Sequence, residues 1–314
     1  MDLPDALHRL FIPLPQRVVL VVGGAERESF LHRLLTQEIR RLAVGEARLA
    51  ALLTPQGKVV ADMLVAVTAE AFLLEMDAAQ FLRVRPLLER YRLRAAVSLA
   101  PAVAEPFTWF SAVIPHAEGQ AAAQRLAAAH GGVAFADPRW PTLGVRVLLP
   151  VAASGLDPAP FALRPAATEI YTAIRVQAAV PEGEPDLPAE TLLAREAGLD
   201  RLQGLSWNKG CFIGQEVTTR TRVRGHLRRC PFGVRAAAAL SALPPPGTPV
   251  QVGEKVIGAL TSCAGAQGLA LLRRDDAQAA MIAQAKVQIG AVPVFLFQPP
   301  WQTAGEQAGQ SALP

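Results

Sequence analysis

The segment that decides the fold is Asn208-Lys209-Gly210-Cys211-Phe212-Ile213-Gly214-Gln215-Glu216. Two glycines bracket a cysteine, and glycine permits backbone angles and a close ligand approach that other residues resist. Lys209 precedes the thiol and three arginines follow it, at positions 220, 222 and 224. Nearby positive charge favours the thiolate, which is the nucleophilic and metal-binding form of cysteine. Cys211 is therefore either a functional thiolate or a small buried hydrophobe, as free cysteines often are.

The string KGCFIGQEVTTR, residues 209–220, closely resembles the signature of the YgfZ family, whose mitochondrial relatives also act in iron–sulfur assembly. In the related glycine-cleavage aminomethyltransferase, an acidic residue stands where this chain has Cys211. Two departures from the family pattern are Gln37-Glu38, in place of Asn-Asp, and Gly198, in place of an asparagine. The resemblance covers most of the chain to about Arg229 through further strings: FLHRLLTQE (30–38), LTPQGKVVAD (53–62), the helix end 175–181, REAGLD (195–200) and Trp207.

Hydrophobic periodicity predicts a chain of mixed strands and helices, followed by a β-rich end. Strands are expected at 17–22, 47–53, 58–67, 72–76, 95–99, 109–114 and 145–149, and helices at 26–42, 78–92, 118–130 and 169–177. Hairpins between strands favour an α+β class over a doubly wound parallel sheet. The resemblance implies an aminomethyltransferase-like ring, in which two ferredoxin-like α+β units and a C-terminal β-barrel surround a central folate pocket.

The expected domain boundaries follow from that architecture. The first α+β unit takes residues 1–48 plus 166–228, and the second takes 49–165. The β-barrel takes 229–298, and a flexible, polar tail takes 299–314.

Composition narrows the class of protein. The chain has 314 residues, of which 51% are hydrophobic and 18% charged, so it can bury a large core. The longest apolar runs are too short to cross a membrane, and the first ten residues lack the layout of a signal or transit peptide. Three widely spaced cysteines do not indicate a disulfide framework. These features predict a cytoplasmic protein. A net charge of +4 is too small to indicate that the protein binds nucleic acid.

Five further residues are candidates for the site. By similarity to the aminomethyltransferase, Glu196 would pair with the pterin edge and Asp62 would lie near the reacting folate nitrogen. The alternatives are a helix-start acid for Glu196 and a solvent-facing acid of strand 58–67 for Asp62. Arg175 would reach a carboxylate or a pterin carbonyl, or is an ordinary surface arginine. Lys209 and Arg220 would attract the anionic glutamate tail. The arginines at 220, 222, 224, 228 and 229 as a group would steer that tail or an acidic partner, and the alternative for each one is the solvated face of a strand.

The leading hypothesis is a tetrahydrofolate-binding protein that assists iron–sulfur cluster assembly or repair, with supply of tRNA-modifying enzymes among its implied uses. Cys211 would coordinate a transient cluster or exchange with a one-carbon or sulfur species. One thiolate cannot hold a cluster alone, so the expected partners are iron–sulfur assembly or carrier proteins, with no direct contact to nucleic acid or membrane. Two alternatives remain: a tetrahydrofolate-dependent, aminomethyltransferase-like enzyme, and a module that only stores or delivers folate.

Overall fold

The structure is a computed structural model that describes residues 7–238 and 242–302. Its helices are α1 (Arg27–Leu34), α2 (Ala78–Arg92), α3 (Gln120–Ala129), α4 (Thr168–Gln177), α5 (Gly183–Asp186), α6 (Gln215–Arg224) and α7 (Arg274–Ile282). Its strands are β1 (Leu10–Gly23), β2 (Ala47–Leu53), β3 (Val59–Val67), β4 (Phe72–Asp77), β5 (Ser98–Ala100), β6 (Trp109–Ile114), β7 (Val133–Ala136), β8 (Val145–Pro150), β9 (Arg164–Pro165), β10 (Arg229–Ala236), β11 (Pro249–Val252), β12 (Lys255–Ala264), β13 (Gln267–Arg273), β14 (Val287–Ile289) and β15 (Val292–Phe297). None of the helices in these ranges is long and apolar enough to cross a membrane.

The first nine strands form one sheet in the order β2-β3-β4-β1-β6-β8-β7, with β5 and β9 paired to β1. Strand β1 is 14 residues long and lies in the middle of this sheet. Residues 17–22 of β1 pair with β4 on one side. On the other side, residues 12, 13 and 18 of β1 pair with β6. The two α+β halves are therefore joined through β1 into a continuous sheet.

Both faces of this sheet are covered. On one face, α1 and α2 pack on alternate apolar residues of β1, β3 and β4, among them Leu20, Met63 and Leu74. Helix α2 begins where Asp77, at its N-cap, accepts a hydrogen bond from the main-chain N–H of Ala79 at 2.8 Å. On the other face lie α4 and segment 178–212, which pack on the sheet in a second apolar cluster. Every candidate site residue belongs to this second layer or to a strand beneath it, except Arg220, which lies on α6.

The last six strands close into an antiparallel barrel in the order β10-β13-β12-β11-β14-β15. The barrel closes because β15 pairs back onto β10, from Gly233↔Phe297 to Ala236↔Val294. A Cβ at Gly233 would lie 2.0 Å from the Phe297 ring, so only glycine fits there. The α+β class and the C-terminal barrel expected from the sequence are confirmed.

Several predicted elements differ in extent from those of the structure. The helix expected at 26–42 ends at Leu34, because the next residues turn to pair with β2. Thr36 donates its N–H to the Ala51 carbonyl at 3.0 Å and accepts the Ala51 N–H on its hydroxyl at 2.8 Å. The barrel region also holds a helix, α7, that the β-only expectation missed. Strand β7 was likewise not expected.

The prediction that the tail 299–314 is flexible is wrong for its first residues. Trp301 is 1% exposed and donates its indole N–H to the Ala179 carbonyl at 3.1 Å. A Cβ at Gly198 would lie 2.7 Å from the Trp301 ring. This contact explains why glycine stands where the family pattern has asparagine. Residues 303–314 lie outside the described residues, and the other predicted domain boundaries stay predictions.

Candidate functional site

Cys211 is exposed, so the alternative of a buried small hydrophobe is wrong. It belongs to a loop that we call the thiol loop, residues 207–214, which enters α6. Two residues close to the thiol are buried: Phe212 packs into the apolar layer above the sheet, and Lys209 is 7% exposed. A Cβ at Gly210 would meet no atom within 4 Å. The loop is thus anchored on both sides of a freely accessible thiol.

Lys209 anchors the loop by capping α1. Its ammonium donates hydrogen bonds to the carbonyls of His32 at 2.6 Å, Leu35 and Gln37 at 3.0 Å. The carbonyls at the end of a helix lack partners within the helix, and a cation there is favoured by the helix dipole. Burial lowers the pKa of Lys209 to about 8, against the raising effect of Glu38. All three donors are used, so Lys209 supports the loop and offers no free N–H to a cofactor.

Two strings of the resemblance, 53–62 and 209–220, meet at the turn Thr54–Gly57, next to the start of a third, 195–200. A Cβ at Gly214 would lie 2.7 Å from the Thr54 carbonyl oxygen and 3.0 Å from the Gly57 Cα. On the other side, Ala194 donates its N–H to the Gly57 carbonyl at 3.3 Å. The turn is therefore held between segment 190–196 and the start of α6. This packing fixes the thiol loop relative to Glu196.

Glu196 is buried within a run of turns, so the alternative of a helix-start acid is wrong. Its Oε2 accepts the Leu193 N–H at 3.1 Å. Its Oε1 accepts the N–H groups of Arg228 at 3.1 Å and Arg229 at 3.4 Å. The carboxylate therefore joins the sheet domain to the first strand of the barrel. A role at the pterin edge stays a prediction, because these three contacts are with the main chain.

Asp62 is 2% exposed, so the solvent-facing alternative is wrong. Its Oδ1 accepts hydrogen bonds from Gln80 Nε2 at 3.0 Å and from the Gly183 N–H at 3.1 Å. Gln80 is itself fully buried, and its amide oxygen has no partner among the described residues. A buried amide oxygen without a partner costs free energy unless a ligand or water donates to it. A polar ligand near Asp62 would satisfy the amide oxygen of Gln80 by donating a hydrogen bond to it.

Arg175 is also buried, so it is not a surface arginine. Its guanidinium pairs with Asp186 and donates to the Ser262 hydroxyl of the barrel at 3.0 Å. Burial alone would lower the pKa of Arg175, but Asp186, Glu182 and Tyr171 together outweigh it and hold the pKa above its ordinary value. The neighbouring Gly183 reaches Asp62, so segment 182–186 links these two predicted site residues. Arg175 connects α4, α5 and the barrel.

Arg220 lies exposed on α6 and pairs with Glu216 at 2.6 Å. Arg222, also exposed, places its guanidinium 4.5 Å from the centre of the Trp207 ring. This cation–π contact packs α6 against the first residue of the thiol loop. The structure thus places Cys211 and Lys209 on one loop, puts Arg220 on the helix that follows it, and links Asp62 to Arg175 through segment 182–186.

A buried charge network was missed by the sequence analysis. It lies between β1, β4, β8 and α4 and joins Arg17, Glu75, Asp137, Arg139, Arg146, Tyr171 and Glu182. Burial alone would raise the pKa of Glu75, but Arg146 and Arg17 outweigh it and hold the pKa below its ordinary value. The signal in the sequence is a single charge inside an apolar strand, as in FLLEMD and VRVLLP.

The other two cysteines, Cys230 and Cys263, belong to the C-terminal barrel. Cys230 is 7% exposed in the barrel core, where burial raises the pKa of its thiol to about 12. Cys263 packs partly against the same core. Within the described ranges, no three or more His, Cys, Asp or Glu side chains are placed to hold a metal ion.

The fold is that of the aminomethyltransferase T class. The solved structure of the glycine cleavage system aminomethyltransferase T from Bartonella henselae matches with a TM-score of 0.69. The match covers 93% of this chain and 87% of that one at 15% identity. Such identity shows the fold alone, and the expected aminomethyltransferase-like architecture is confirmed.

The chain belongs to the CAF17/IBA57 family. The family model described as CAF17, C-terminal beta-barrel domain, matches residues 228–304. The human protein named iron-sulfur cluster assembly factor IBA57, mitochondrial, is 33% identical over 277 residues, covering 82% of this chain and 76% of that protein. The mouse protein of the same name is 30% identical, covering 83% and 77%. The homologue from Phaeosphaeria nodorum is 29% identical over 76% of this chain, and the chain spans 58% of its length.

These relatives are named as mitochondrial proteins, which overturns the cytoplasmic location expected from the sequence. That expectation rested in part on residues 1–10, of which 1–6 lie outside the described residues. The resemblance to an iron–sulfur family is confirmed in its coarser form. The relatives named are IBA57 proteins.

Proposed function

We propose that this chain is an iron–sulfur cluster assembly factor that acts through Cys211. The observation that carries the proposal is the exposed thiol on a loop whose flanking residues are buried, in a chain of the IBA57 family. The relatives are named for cluster assembly. An anchored loop presents the thiol to a partner without an ordering cost at each encounter. We also propose the YgfZ type, on the string KGCFIGQEVTTR.

The proposed role of Cys211 is to supply one thiolate ligand to a cluster that a partner also holds. Iron–sulfur clusters take four protein ligands in most sites, so the partner supplies the others. Exposed cations lie close in sequence on α6, at Arg220 and Arg222. Exposed positive charge attracts an acidic surface. The expected partner is therefore an iron–sulfur assembly or carrier protein with an acidic rim.

Tetrahydrofolate is the proposed small ligand, held at Asp62 and Gln80. The unpartnered amide oxygen of Gln80 and the adjacent carboxylate are acceptors, and the pterin edge offers an amino group and ring N–H donors. When bound, the folate would supply a carrier for one-carbon units. Glu196 stays the second candidate for the pterin edge.

The thiol is tested in cells that lack the endogenous factor. Cys211→Ala is expected to abolish rescue of cluster-dependent enzyme activities, whereas Cys263→Ala, which removes a half-buried thiol elsewhere, is expected to rescue them. Both variants are first shown to be folded by thermal unfolding. Full rescue by Cys211→Ala would remove the thiol from the proposed function.

The folate part is tested separately by calorimetry with tetrahydrofolate. Gln80→Leu removes the acceptor, and Glu196→Gln replaces a charged acceptor by an amide of the same shape. Loss of an essential pairing is expected to weaken binding by about 1.5–3 kcal/mol. Absence of binding to the unaltered protein would contradict the folate assignment and leave the thiol assignment standing.

A further inference from the structure

The sheet opens between β1 and β6. Their register runs Ile12↔Val113 and Pro13↔Ala112, and resumes at Val18↔Phe110. Residues 14–17 of β1 thus stand opposite the single residue Ser111. Pro13 and Pro15 lack an N–H to donate to β6. Bulges of this kind disrupt the ladder locally and are frequent beside functional sites.

A cavity of about 440 Å³ lies at this opening. Its walls are mainly aromatic side chains and prolines, which include Phe11, Phe107, Trp109 and Phe110. Three polar residues also line it: Arg17 and Ser111, which are buried, and Ser154, which is exposed. Ligand sites are typically concave, mostly apolar and supplied with a few polar groups, in a volume of roughly 300–1,000 Å³. None of the six site residues predicted from the sequence lines this cavity.

Arg17, which lines the cavity, has one buried side-chain nitrogen without a hydrogen-bond partner. Its Nε and Nη2 donate to the two carboxylate oxygens of Glu75 at 2.9 and 2.6 Å. Its Nη1 has no hydrogen-bond partner among the described residues, and the Glu182 Oε1 lies 4.0 Å away. The side chain is 3% exposed, so bulk water does not satisfy this N–H freely. A buried donor without an acceptor is costly.

The charge of the surroundings narrows the class of ligand. Three arginines of the network, at positions 17, 139 and 146, meet three carboxylates, at 75, 137 and 182. This buried set is balanced, so a further full negative charge would be uncompensated. The donor therefore suits a neutral acceptor. A carbonyl oxygen meets that need, and the aromatic walls suit a planar ring.

We propose that this cavity binds a small, uncharged aromatic carbonyl compound, with the ring against the aromatic walls and the carbonyl oxygen accepting from Arg17 Nη1. The site is separate from Cys211 and from the Asp62–Gln80 pair. Its occupant would also stabilise the opening between β1 and β6, since binding to the folded state alone raises its stability.

The test uses 4-fluorobenzamide as the probe, with binding followed by fluorine NMR relaxation. Val151, which is 41% exposed at the cavity wall, is replaced by Trp to fill the space. Val103→Trp is the matched control, because Val103 is 49% exposed and does not line the cavity. We expect binding to be lost in V151W and retained in V103W. Equal binding to both variants, or no binding to the unaltered protein, would overturn the proposal.

The hydrogen bond from Arg17 to the carbonyl oxygen of the probe is tested by changing the probe, so that the protein stays unaltered. In 4-fluorothiobenzamide, sulfur replaces the carbonyl oxygen and is a poorer acceptor at nearly the same shape. We expect binding to weaken about tenfold, as for the loss of a hydrogen bond from a charged donor. In Arg17→Lys, whose folding is checked by thermal unfolding, the two probes should bind alike. A thioamide that binds the unaltered protein as tightly as the amide would contradict the role of Arg17.

Discussion

Gly57 and Gly214 face each other across the turn that supports the thiol loop. A Cβ at Gly214 would lie 3.0 Å from the Gly57 Cα, and a Cβ at Gly57 would lie 3.0 Å from the side chain of Val217. Both glycines have positive φ, at 75° and 80°. The two positions are far apart in sequence, yet neither tolerates a side chain because of the other segment. The strings LTPQGK and KGCFIGQE are therefore two halves of one structural unit.

Substitution of Gly214 tests this contact. Gly214→Ala places a methyl group 2.7 Å from the Thr54 carbonyl oxygen, at a backbone angle that alanine disfavours. We expect a loss of about 2–4 kcal/mol in the free energy of unfolding, measured by urea titration. Gly210→Ala is the control, since it has open space, and should change the value by less than about 0.5 kcal/mol. Equal effects of the two substitutions would show that the turn does not support the loop.

The cap formed by Lys209 on α1 gives a second prediction. Lys209→Met removes the ammonium that serves three carbonyls, and we expect a loss of about 3 kcal/mol in the free energy of unfolding. The control is Lys255→Met, which breaks an exposed pair with Asp276 at 2.6 Å and should cost less than about 1 kcal/mol. Chemical denaturation of the three proteins provides the comparison. A small effect at Lys209 would mean that water replaces the ammonium at the helix end.

Glu182 is the acid of the buried network that contacts the most partners. Its Oε2 accepts from Arg139 at 2.6 Å, from the Tyr171 hydroxyl at 2.6 Å and from Arg146 at 3.5 Å. Glu182→Gln leaves buried positive charge uncompensated, so we expect a loss of about 3–5 kcal/mol in the free energy of unfolding.

The exposed pair of Glu216 and Arg220 provides the control for Glu182. Glu216→Gln should change the free energy of unfolding by less than about 1 kcal/mol, because exposed ion pairs contribute little. Thermal and urea unfolding at neutral pH measure both variants. The network would be of minor importance to stability if the two substitutions had similar effects.

His32 predicts a dependence of stability on pH. Burial, with a contribution from the Lys209 charge, lowers the pKa of His32 below its ordinary value of 6.5. As the pH falls below 6.5, the unfolded chain takes up a proton that the folded protein resists, so stability decreases. Hydrogen bonds from Arg40 outweigh burial and hold the pKa of Glu38 at about 2, so this neighbour stays ionised.

His32→Gln should reduce the loss of stability between about pH 7.5 and about pH 5.5, because the variant has no such group to titrate. His226→Gln is the control, since His226 is exposed, and it should behave as the unaltered protein does. Urea unfolding across this pH range measures the slopes. An unchanged slope in the His32 variant would assign the acid sensitivity to other groups.

Much of the architecture followed from local patterns. Helix α2 lies where the apolar spacing of residues 78–92 predicts it, and strands β2 and β6 have the expected bounds. Helix α1 was predicted too long, because Leu35 leaves the helix to pair with Leu52. That pairing depends on a strand formed later in the chain, which no local pattern of residues 26–42 contains.

The site was predicted as a set of residue types, and the tertiary structure decided how each is used. The sequence by itself determined the family, the glycine-bracketed thiol and the buried strands, because these depend on short strings and local backbone angles. Only the structure showed that Lys209 and Glu196 bind main-chain groups and that Gln80 and Arg17 keep unpartnered polar atoms. The physical reason is that a polar side chain's partner is fixed by long-range packing: Lys209 reaches His32 across 177 positions of the chain.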